Sequence, residues 1–180
     1  APPVEGAATS TVSATEEEPS DAPWIIHAEG VGELSPGAPI PDSVYARQGQ
    51  SFDELWTIPI RGLDQMEEMV QGFRDQDGYR TVIFTKLDVT ARLTTQDIVL
   101  GIWAGATVRT ERGVGIGSTL AELKAAYSHV EEHNIPEPYH CSASTPELPN
   151  VSFLFTDFCD KLTPDSTTEQ VYIYGYEEPD

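Results

Sequence analysis

The 180-residue sequence lacks a long apolar run and has few basic residues. A helix that spans a membrane needs about 20 consecutive apolar residues, and no run in this sequence approaches that length. Only 10 Lys and Arg stand against 30 Asp and Glu, which gives a net charge of −20. Because such a charge repels phosphate groups, it disfavours nucleic acid and anionic membrane surfaces as partners, and we predict no nucleic-acid binding. The charge is instead typical of the surface of an exported protein in salty surroundings.

Recognisable catalytic motifs are also missing from the sequence. It contains no nucleophile elbow and no Ser/His/Asp or Cys/His set in a recognisable context. We therefore predict that the protein is not an enzyme and needs no cofactor.

Cysteine is scarce, with only Cys141 and Cys159 present. Two cysteines this close in an exported chain most often form one disulfide. Closing that loop would contribute roughly 3 kcal/mol in the chain-entropy model. The alternative is a pair of free buried thiols in a cytosolic protein, which fits poorly with the composition of the N-terminal segment.

Residues 1–23 differ in composition from the rest of the chain. They contain no aromatic residue and no Leu, Ile, Lys or Arg, and they are rich in Pro, Ser, Thr and Glu. Such a segment cannot bury enough apolar surface to offset the entropy that ordering would cost. We predict a disordered acidic linker over 1–23 and a single domain over 24–180. The first residue is not Met, which we interpret as a mature product whose targeting segment has been removed.

Glycines punctuate two short motifs. Gly113, Gly115 and Gly117 alternate with apolar residues directly before a predicted helix, and Gly30 and Gly32 form a similar pair near the start. Glycine permits positive φ and the close approach of a neighbouring backbone, so we assign both motifs a structural role in turns. A phosphate-binding loop is the alternative for the second motif, because that motif precedes a helix N-terminus. Its spacing matches no established phosphate-loop pattern, and no Lys directly follows the glycines.

The best-marked helix follows the second glycine motif. Thr119 and Glu122 form a T-x-x-E capping box, in which each side chain accepts a hydrogen bond from an otherwise free N–H at the helix start. Leu120, Leu123 and Tyr127 recur at helical spacing and form one apolar stripe. The sequence therefore predicts a helix that packs this stripe against the core.

The remaining pattern indicates an α+β domain. A second helix is predicted over 64–73 with Asp64 as its N-cap, and 42–48 is predicted to be a short helical turn. Alternation from residue 81 to 93 places one set of apolar side chains on a single face: Ile83, Leu87, Val89, Ala91 and Leu93. Further strands are predicted at 24–28, 55–60, 98–103, 107–110, 151–156 and 170–176, with a loop between the main helix and the strand at 151. Short strands with tight connections favour an antiparallel meander, so we predict an antiparallel sheet with about two helices packed on one face.

Two segments of the chain resemble a family of small bacterial cell-envelope lipoproteins of unknown function. The segments are Glu29–Leu34 (EGVGEL) and Gly113–Ser118 (GVGIGS), and the similarity covers roughly Ala28–Asp157. Members of that family are commonly described as regulated by the envelope-stress sigma factor. The resemblance implies an exported protein that is lipidated on an N-terminal cysteine and faces the periplasm. It implies no catalytic residues.

A possible zinc motif lies just after the main helix. His129, Glu132 and His133 match the H-x-x-E-H pattern, in which a helix places two His ligands one turn apart and the Glu activates the zinc-bound water. Such a site would require the helix to continue through His133, with a third ligand on another element. Asn134 and Pro136 stop a helix there. We therefore predict no metal, and a zinc-dependent hydrolase remains the alternative function.

A second possible cation site is the acidic turn Asp75–Gly78, which resembles a fragment of a calcium-binding loop. The twelfth position of such a loop should be a Glu that binds calcium with both oxygens, but here it is Lys86. We favour a solvated turn, with a cation-binding surface protein that uses Asp75 and Asp77 as a further alternative.

Three tyrosines alternate near the C-terminus. Tyr172, Tyr174 and Tyr176 are predicted to project from one face of the last strand. Such a row could stack on a sugar or a peptide, or it could pair with side chains of neighbouring strands. We favour the structural role and keep the row as a possible ligand surface.

Together these features predict a non-enzymatic module of the cell envelope that binds or scaffolds an envelope protein or a small ligand. We expect a monomer, and we expect membrane contact only through a possible N-terminal lipid anchor that is not part of this sequence.

Overall fold

The computed structural model describes residues 24–48, 72–74 and 79–177. The predicted linker, the predicted strand at 55–60, residues 64–71 of the second predicted helix and the acidic turn at 75–78 lie outside these residues. Neither of the two described helices is long and apolar enough to cross a membrane.

The described part of the chain forms eleven strands and two helices. In chain order the strands are β1 (Ile25–His27), β2 (Gly30–Val31), β3 (Gly72–Arg74), β4 (Arg80–Phe84), β5 (Val89–Leu93), β6 (Val99–Ala104), β7 (Arg109–Thr110), β8 (Glu131–Asn134), β9 (Cys141–Thr145), β10 (Leu148–Phe155) and β11 (Gln170–Ile173). The helices are α1 (Asp42–Gln48) and α2 (Leu120–Ala126), and a single 3₁₀ turn spans Cys159–Lys161.

Eight strands form one sheet in the order β3-β4-β5-β6-β11-β10-β9-β8, and every neighbouring pair in it is antiparallel. Strands β3 to β6 follow one another as a meander. A small second sheet has the order β2-β1-β7, with β1 antiparallel to β2 and parallel to β7. The prediction of an α+β protein built on an antiparallel sheet is confirmed.

One face of the large sheet forms the core. The strand register aligns a row of buried apolar side chains across five strands, in the order Phe84, Val89, Ala104, Val171 and Phe153. Each is at most 3% exposed. Buried residues of α1, α2 and the small sheet belong to the same apolar cluster. We call this side of the sheet the inner face.

The opposite side of the sheet, the outer face, carries a parallel row of partly exposed residues. In register these are Ile83, Thr90, Trp103, Tyr172 and Ser152. Because successive side chains in a strand point to opposite faces, every member of this outer row lies next to a member of the buried row. Outer and inner faces therefore differ sharply in burial.

The position of Ile83 differs from its prediction. A turn at residues 85–88 separates β4 from β5, and Phe84 pairs with Val89 across it. The inward positions are therefore even-numbered in β4 and odd-numbered in β5. Val89 points inward as predicted, but the inward residues of β4 are Val82 and Phe84, and Ile83 lies on the outer face.

Both helices begin where the sequence predicts. The capping box of α2 is confirmed, because the Thr119 side chain accepts from the Glu122 N–H and the Glu122 carboxylate accepts from the Thr119 N–H. Leu120 and Leu123 are buried, and Tyr127, just past the helix end, is 3% exposed. In α1, buried Val44 and Tyr45 join the core.

Two predicted segments are wrong. The second predicted helix was expected to run to residue 73, but Gly72–Arg74 is the edge strand β3. The segment between α2 and the strand at 151 was expected to be a loop, but it contains β8, β9 and the first residues of β10. Proline and polar residues are frequent in this segment, so the sequence lacks the apolar alternation that would have indicated strands.

Candidate functional site

The predicted disulfide is present. Cys141 begins β9 and is fully buried, and its sulfur is bonded to that of Cys159 in the 3₁₀ turn. The Cys159 N–H donates to Asn134 Oδ1 at 3.0 Å. The bond and this contact hold the 3₁₀ turn against β8 and β9 at the edge of the large sheet.

The second glycine motif forms a tight loop before α2. Gly113 has φ +81° and Gly117 has φ +90°, a region that residues with a side chain rarely adopt. A Cβ at Gly115 would lie 2.9 Å from the Val108 carbonyl oxygen, so this position requires glycine because of close backbone approach.

The Arg109 side chain stabilises that loop through hydrogen bonds. Its guanidinium donates to the carbonyl oxygens of Gly113 and Ile116, both at 3.0 Å, and to Ser118 Oγ at 3.1 Å. The sequence analysis did not select Arg109. Its guanidinium is directed at the loop itself and not at an external anion. The geometry is that of a structural brace.

The start of α2 has no free N–H groups for a phosphate. The N–H of Leu120 donates to the Ser166 carbonyl at 2.8 Å, and that of Ala121 donates to the Pro164 carbonyl at 3.0 Å. The capping box satisfies the next N–H. Because an anion site at a helix start depends on such donors, the packing role of the glycine motif is favoured over phosphate binding.

The first glycine motif also marks close contacts. A Cβ at Gly30 would lie 1.9 Å from the Leu34 carbonyl oxygen. Gly32 has φ +55°, and a Cβ there would lie 2.6 Å from the Trp24 ring. Gly30 therefore allows the Leu34 backbone to approach closely, and Gly32 allows the chain to pass over the Trp24 ring.

The structure does not bring His129, Glu132 and His133 together as a zinc motif requires. The helix ends before His129, and His133 lies in strand β8. Strand alternation places Glu132 on the inner face, where it pairs with Lys124 at 3.0 Å. The two histidines instead flank Glu131, with Nε2–carboxylate distances of 3.5 and 4.0 Å. Within the described residues, no group of three or more His, Cys, Asp or Glu could hold a metal ion.

Two of the three alternating tyrosines lie side by side, and the third lies elsewhere. Tyr172 lies in β11 and Tyr174 just beyond its end, and their ring centroids are 6.0 Å apart at an interplanar angle of 22°. Trp103 on β6 continues this arrangement, with its ring 4.6 Å from that of Tyr172. Tyr176 lies apart, its ring packed near Gly37. We call Trp103, Tyr172 and Tyr174 the aromatic stack.

A glycine on the neighbouring strand positions the aromatic stack. A Cβ at Gly101 would lie 2.1 Å from Tyr172 Oη and 2.6 Å from ring atoms Cε2 and Cζ. The Tyr172 ring therefore lies over Gly101. Burial raises the pKa of the Tyr172 phenol, and the nearby Arg92 guanidinium lowers it by less. The guanidinium of Arg92 lies over the Tyr79 ring, 5.1 Å from its centroid.

An open cleft of about 270 Å³ lies on the outer face beside Trp103. Its other walls include Ile83, Thr90 and Gln170. Asp88 also lines it, but its carboxylate accepts from the Thr107 N–H at 2.9 Å and from the Thr107 hydroxyl at 2.7 Å. The cleft is thus lined by Trp103, by neutral polar groups and by one carboxylate that already accepts two hydrogen bonds.

A second cleft, of about 200 Å³, lies beside Ile25. Two of its charged groups are paired, because Arg112 lies 2.7 Å from Glu147, and Arg112 also lies over the Tyr127 ring. Arg112 also donates to the Ala126 carbonyl. Because Arg112 is already engaged by protein groups and the aromatic stack does not line this cleft, the outer-face cleft and the aromatic stack form the better candidate site.

The comparisons with known proteins identify a fold and no family. No protein-family model matches the chain, and a search of curated proteins found no match. Among solved structures, the uncharacterized protein yfeY from Escherichia coli is similar, with a TM-score of 0.51 and 12% sequence identity. The similarity covers 84% of this chain and 99% of the yfeY chain. At this identity the likeness supports the fold alone.

Proposed function

We propose that this protein is a non-enzymatic binding module of the cell envelope and that its ligand binds on the outer face of the large sheet. The observation that carries the proposal is the aromatic stack beside an open cleft. These side chains lie on the face of the sheet that does not supply the core.

The aromatic stack is suited to binding because its rings are held in place before a ligand arrives. Tyr172 is fixed between Trp103 and the backbone of Gly101. A side chain that is already ordered loses little conformational freedom on binding. Aromatic rings also offer large contact areas with few rotatable bonds. Tyr174, 39% exposed, leaves part of the stack in contact with solvent.

Export to the envelope is supported by three features. The disulfide is typical of oxidising compartments, and a strongly acidic surface suits a protein outside the cytoplasm. The resemblance of Glu29–Leu34 and Gly113–Ser118 to envelope lipoproteins points the same way. In this proposal residues 1–23 act as the tether and the domain is a monomer.

Both helices are proposed to pack against the same face of the large sheet. The buried side chains of α1 and α2 join the apolar cluster of the inner face. The Tyr45 ring lies 5.7 Å from that of inward-facing Phe84, and Lys124 of α2 pairs with Glu132 of β8. We infer that both helices cover the inner face, opposite the aromatic stack.

Site-specific photo-crosslinking in intact cells tests the proposal. A photoreactive residue at Thr90 or Ser152 samples the outer face, and one at exposed Ala125 on α2 is the matched control. We expect crosslinks to an envelope component from the two outer-face positions and none from the control. Equal labelling from all three positions would argue against a binding face.

Compartment is tested separately by alkylating thiols in the producing cells before lysis. We expect both cysteines to escape alkylation, and the protein to fractionate with the envelope. A cytosolic protein with two alkylated thiols would contradict the proposed location.

A further inference from the structure

We propose that the cleft beside Trp103 binds a neutral sugar ring, which stacks on the indole as one unit of an envelope glycan. This inference rests on the proposed function and names the ligand class for the same site.

The charge of the protein selects against anionic ligands. A net charge of −20 repels phosphate and carboxylate groups. Asp88, the acidic residue lining the cleft, is engaged by the backbone and hydroxyl of Thr107. The polar walls that remain include a hydroxyl at Thr90 and an amide at Gln170, both uncharged. A neutral ligand therefore fits these walls best.

The size of the cleft fits a single ring. Its volume of about 270 Å³ is below the range of roughly 300–1,000 Å³ that is usual for pockets that enclose drug-sized ligands. The cleft is open, so the rest of a longer ligand can leave it over the outer face. Along that face Tyr172 and Tyr174 continue from Trp103 and offer contacts for neighbouring units.

The chemistry of the walls matches the two sides of a sugar. The face of an aromatic ring carries partial negative charge, which attracts the slightly positive C–H groups on the flat side of a sugar ring. Hydroxyl and amide groups can each donate and accept hydrogen bonds, as sugar hydroxyls do. Trp103 supplies the first kind of contact, and Thr90 and Gln170 supply the second.

A peptide added as an extra strand is disfavoured at this site. Strand β6 is paired on both sides, by β5 and β11, and β11 is paired by β6 and β10. Peptides that extend a sheet require an unpaired strand edge, and these strands have none. A proline-rich peptide lying in an aromatic groove is a different mode, and the experiment includes it.

The test is calorimetric titration of the full chain with a panel of short neutral oligosaccharides, their uronic acid counterparts and a proline-rich peptide. We expect a neutral oligosaccharide to bind more tightly than its acidic counterpart. We expect Trp103→Ala to weaken binding about tenfold or more and Thr90→Val to weaken it several-fold. Phe158→Ala, which removes a 50% exposed aromatic residue outside the outer row, is the matched control and leaves binding unchanged. Thermal unfolding of each variant verifies that it is folded.

The other outcomes separate the two proposals. If the proline-rich peptide binds in a Trp103-dependent way and no neutral sugar does, the sugar inference is overturned and the binding face stands. If no oligosaccharide and no peptide binds, and outer-face crosslinking is also negative, both proposals are overturned. Binding of a sugar that is equally strong in Trp103→Ala overturns the assignment to this cleft.

Discussion

Gly101→Ala gives a sharp test of how the aromatic stack is built. The added methyl group would lie 2.1 Å from Tyr172 Oη and 2.6 Å from two ring atoms, closer than packed atoms can approach. The ring must therefore move away from Gly101. Overpacking of this kind costs about 1–3 kcal/mol, and the partly exposed ring can shift, which favours the lower end.

A second substitution reverses the sign of the effect. In a Tyr172→Thr background the ring is gone, and Gly101→Ala should stabilise the strand by about 0.5–1 kcal/mol, because glycine is unfavourable in strands. In the wild-type background we expect a net loss of about 1 kcal/mol. The coupling energy between the two positions should thus be about 1.5–2 kcal/mol.

Urea unfolding of the two single variants and the double variant measures this coupling. Gly101→Ala combined with Tyr174→Thr is the matched control and should be additive, because the three atoms nearest to a Cβ at Gly101 all belong to Tyr172. An equal effect of Gly101→Ala with and without Tyr172 would refute the placement of the ring over Gly101.

Three further predictions address the disulfide and two titrating groups. Replacing Cys141 and Cys159 with alanine should lower the free energy of unfolding by about 3 kcal/mol in the chain-entropy model, given their separation of 18 residues. Reducing agent should lower the stability of the wild type by a similar amount in urea unfolding. If the reduced wild type keeps its full stability, the loss in the alanine variant does not come from the disulfide. Hydrogen bonds from Thr119 lower the pKa of Glu122 below 4.5. The ionised Glu122 carboxylate therefore stabilises the folded state above that pH, and this stabilisation is lost as the pH falls through the lowered pKa. The stability difference between wild type and Glu122→Ala should therefore shrink in acid, and a constant difference in urea titrations would contradict this. Burial raises the pKa of Tyr172 above 10.0, so the free energy of unfolding should fall as the pH rises beyond that value, and it should fall less in Tyr172→Phe. Phenolate absorbance of the wild type and of Tyr172→Phe measures the titration of this group. Identical titration curves for the two proteins would count against a buried phenol.

Local signals in the sequence predicted local structure well. The T-x-x-E pattern at Thr119 placed the start of α2 at the right residue, because both halves of a capping box lie within one turn. Alternation identified β4 and β5 as strands, but the face of Ile83 was wrong. A period-two pattern carries no information on where a turn changes the parity, and the turn at 85–88 does so.

The candidate site was harder to predict because it is assembled across strands. Tyr172 and Tyr174 were selected from their spacing, but their partner Trp103 lies far away in sequence and meets them through the pairing of β6 with β11. The glycine under the ring, Gly101, gave no sign of that role. The sequence contains no signal for the face of Trp103, because residues 98–104 are all apolar or glycine and show no polar alternation.

The His129–Glu132–His133 motif shows why a short pattern needs its structural context. Its spacing has a chemical meaning only on a helix, where residues four apart lie on one face. Glu132 and His133 lie in strand β8, where they point to opposite sides, and His129 lies before the strand. A motif of this kind predicts a site only when its secondary structure is also predicted.

Chemical-shift mapping by nuclear magnetic resonance tests the central claim most directly. Isotope-labelled protein would be titrated with soluble glycan fragments released from the envelope of the producing cell. We predict that the largest shifts fall on the Trp103 indole and on the amides of Ile83, Thr90 and Tyr172. Shifts centred instead on β8 or on the cleft beside Ile25, with the outer row unchanged, would contradict a ligand site on the outer face.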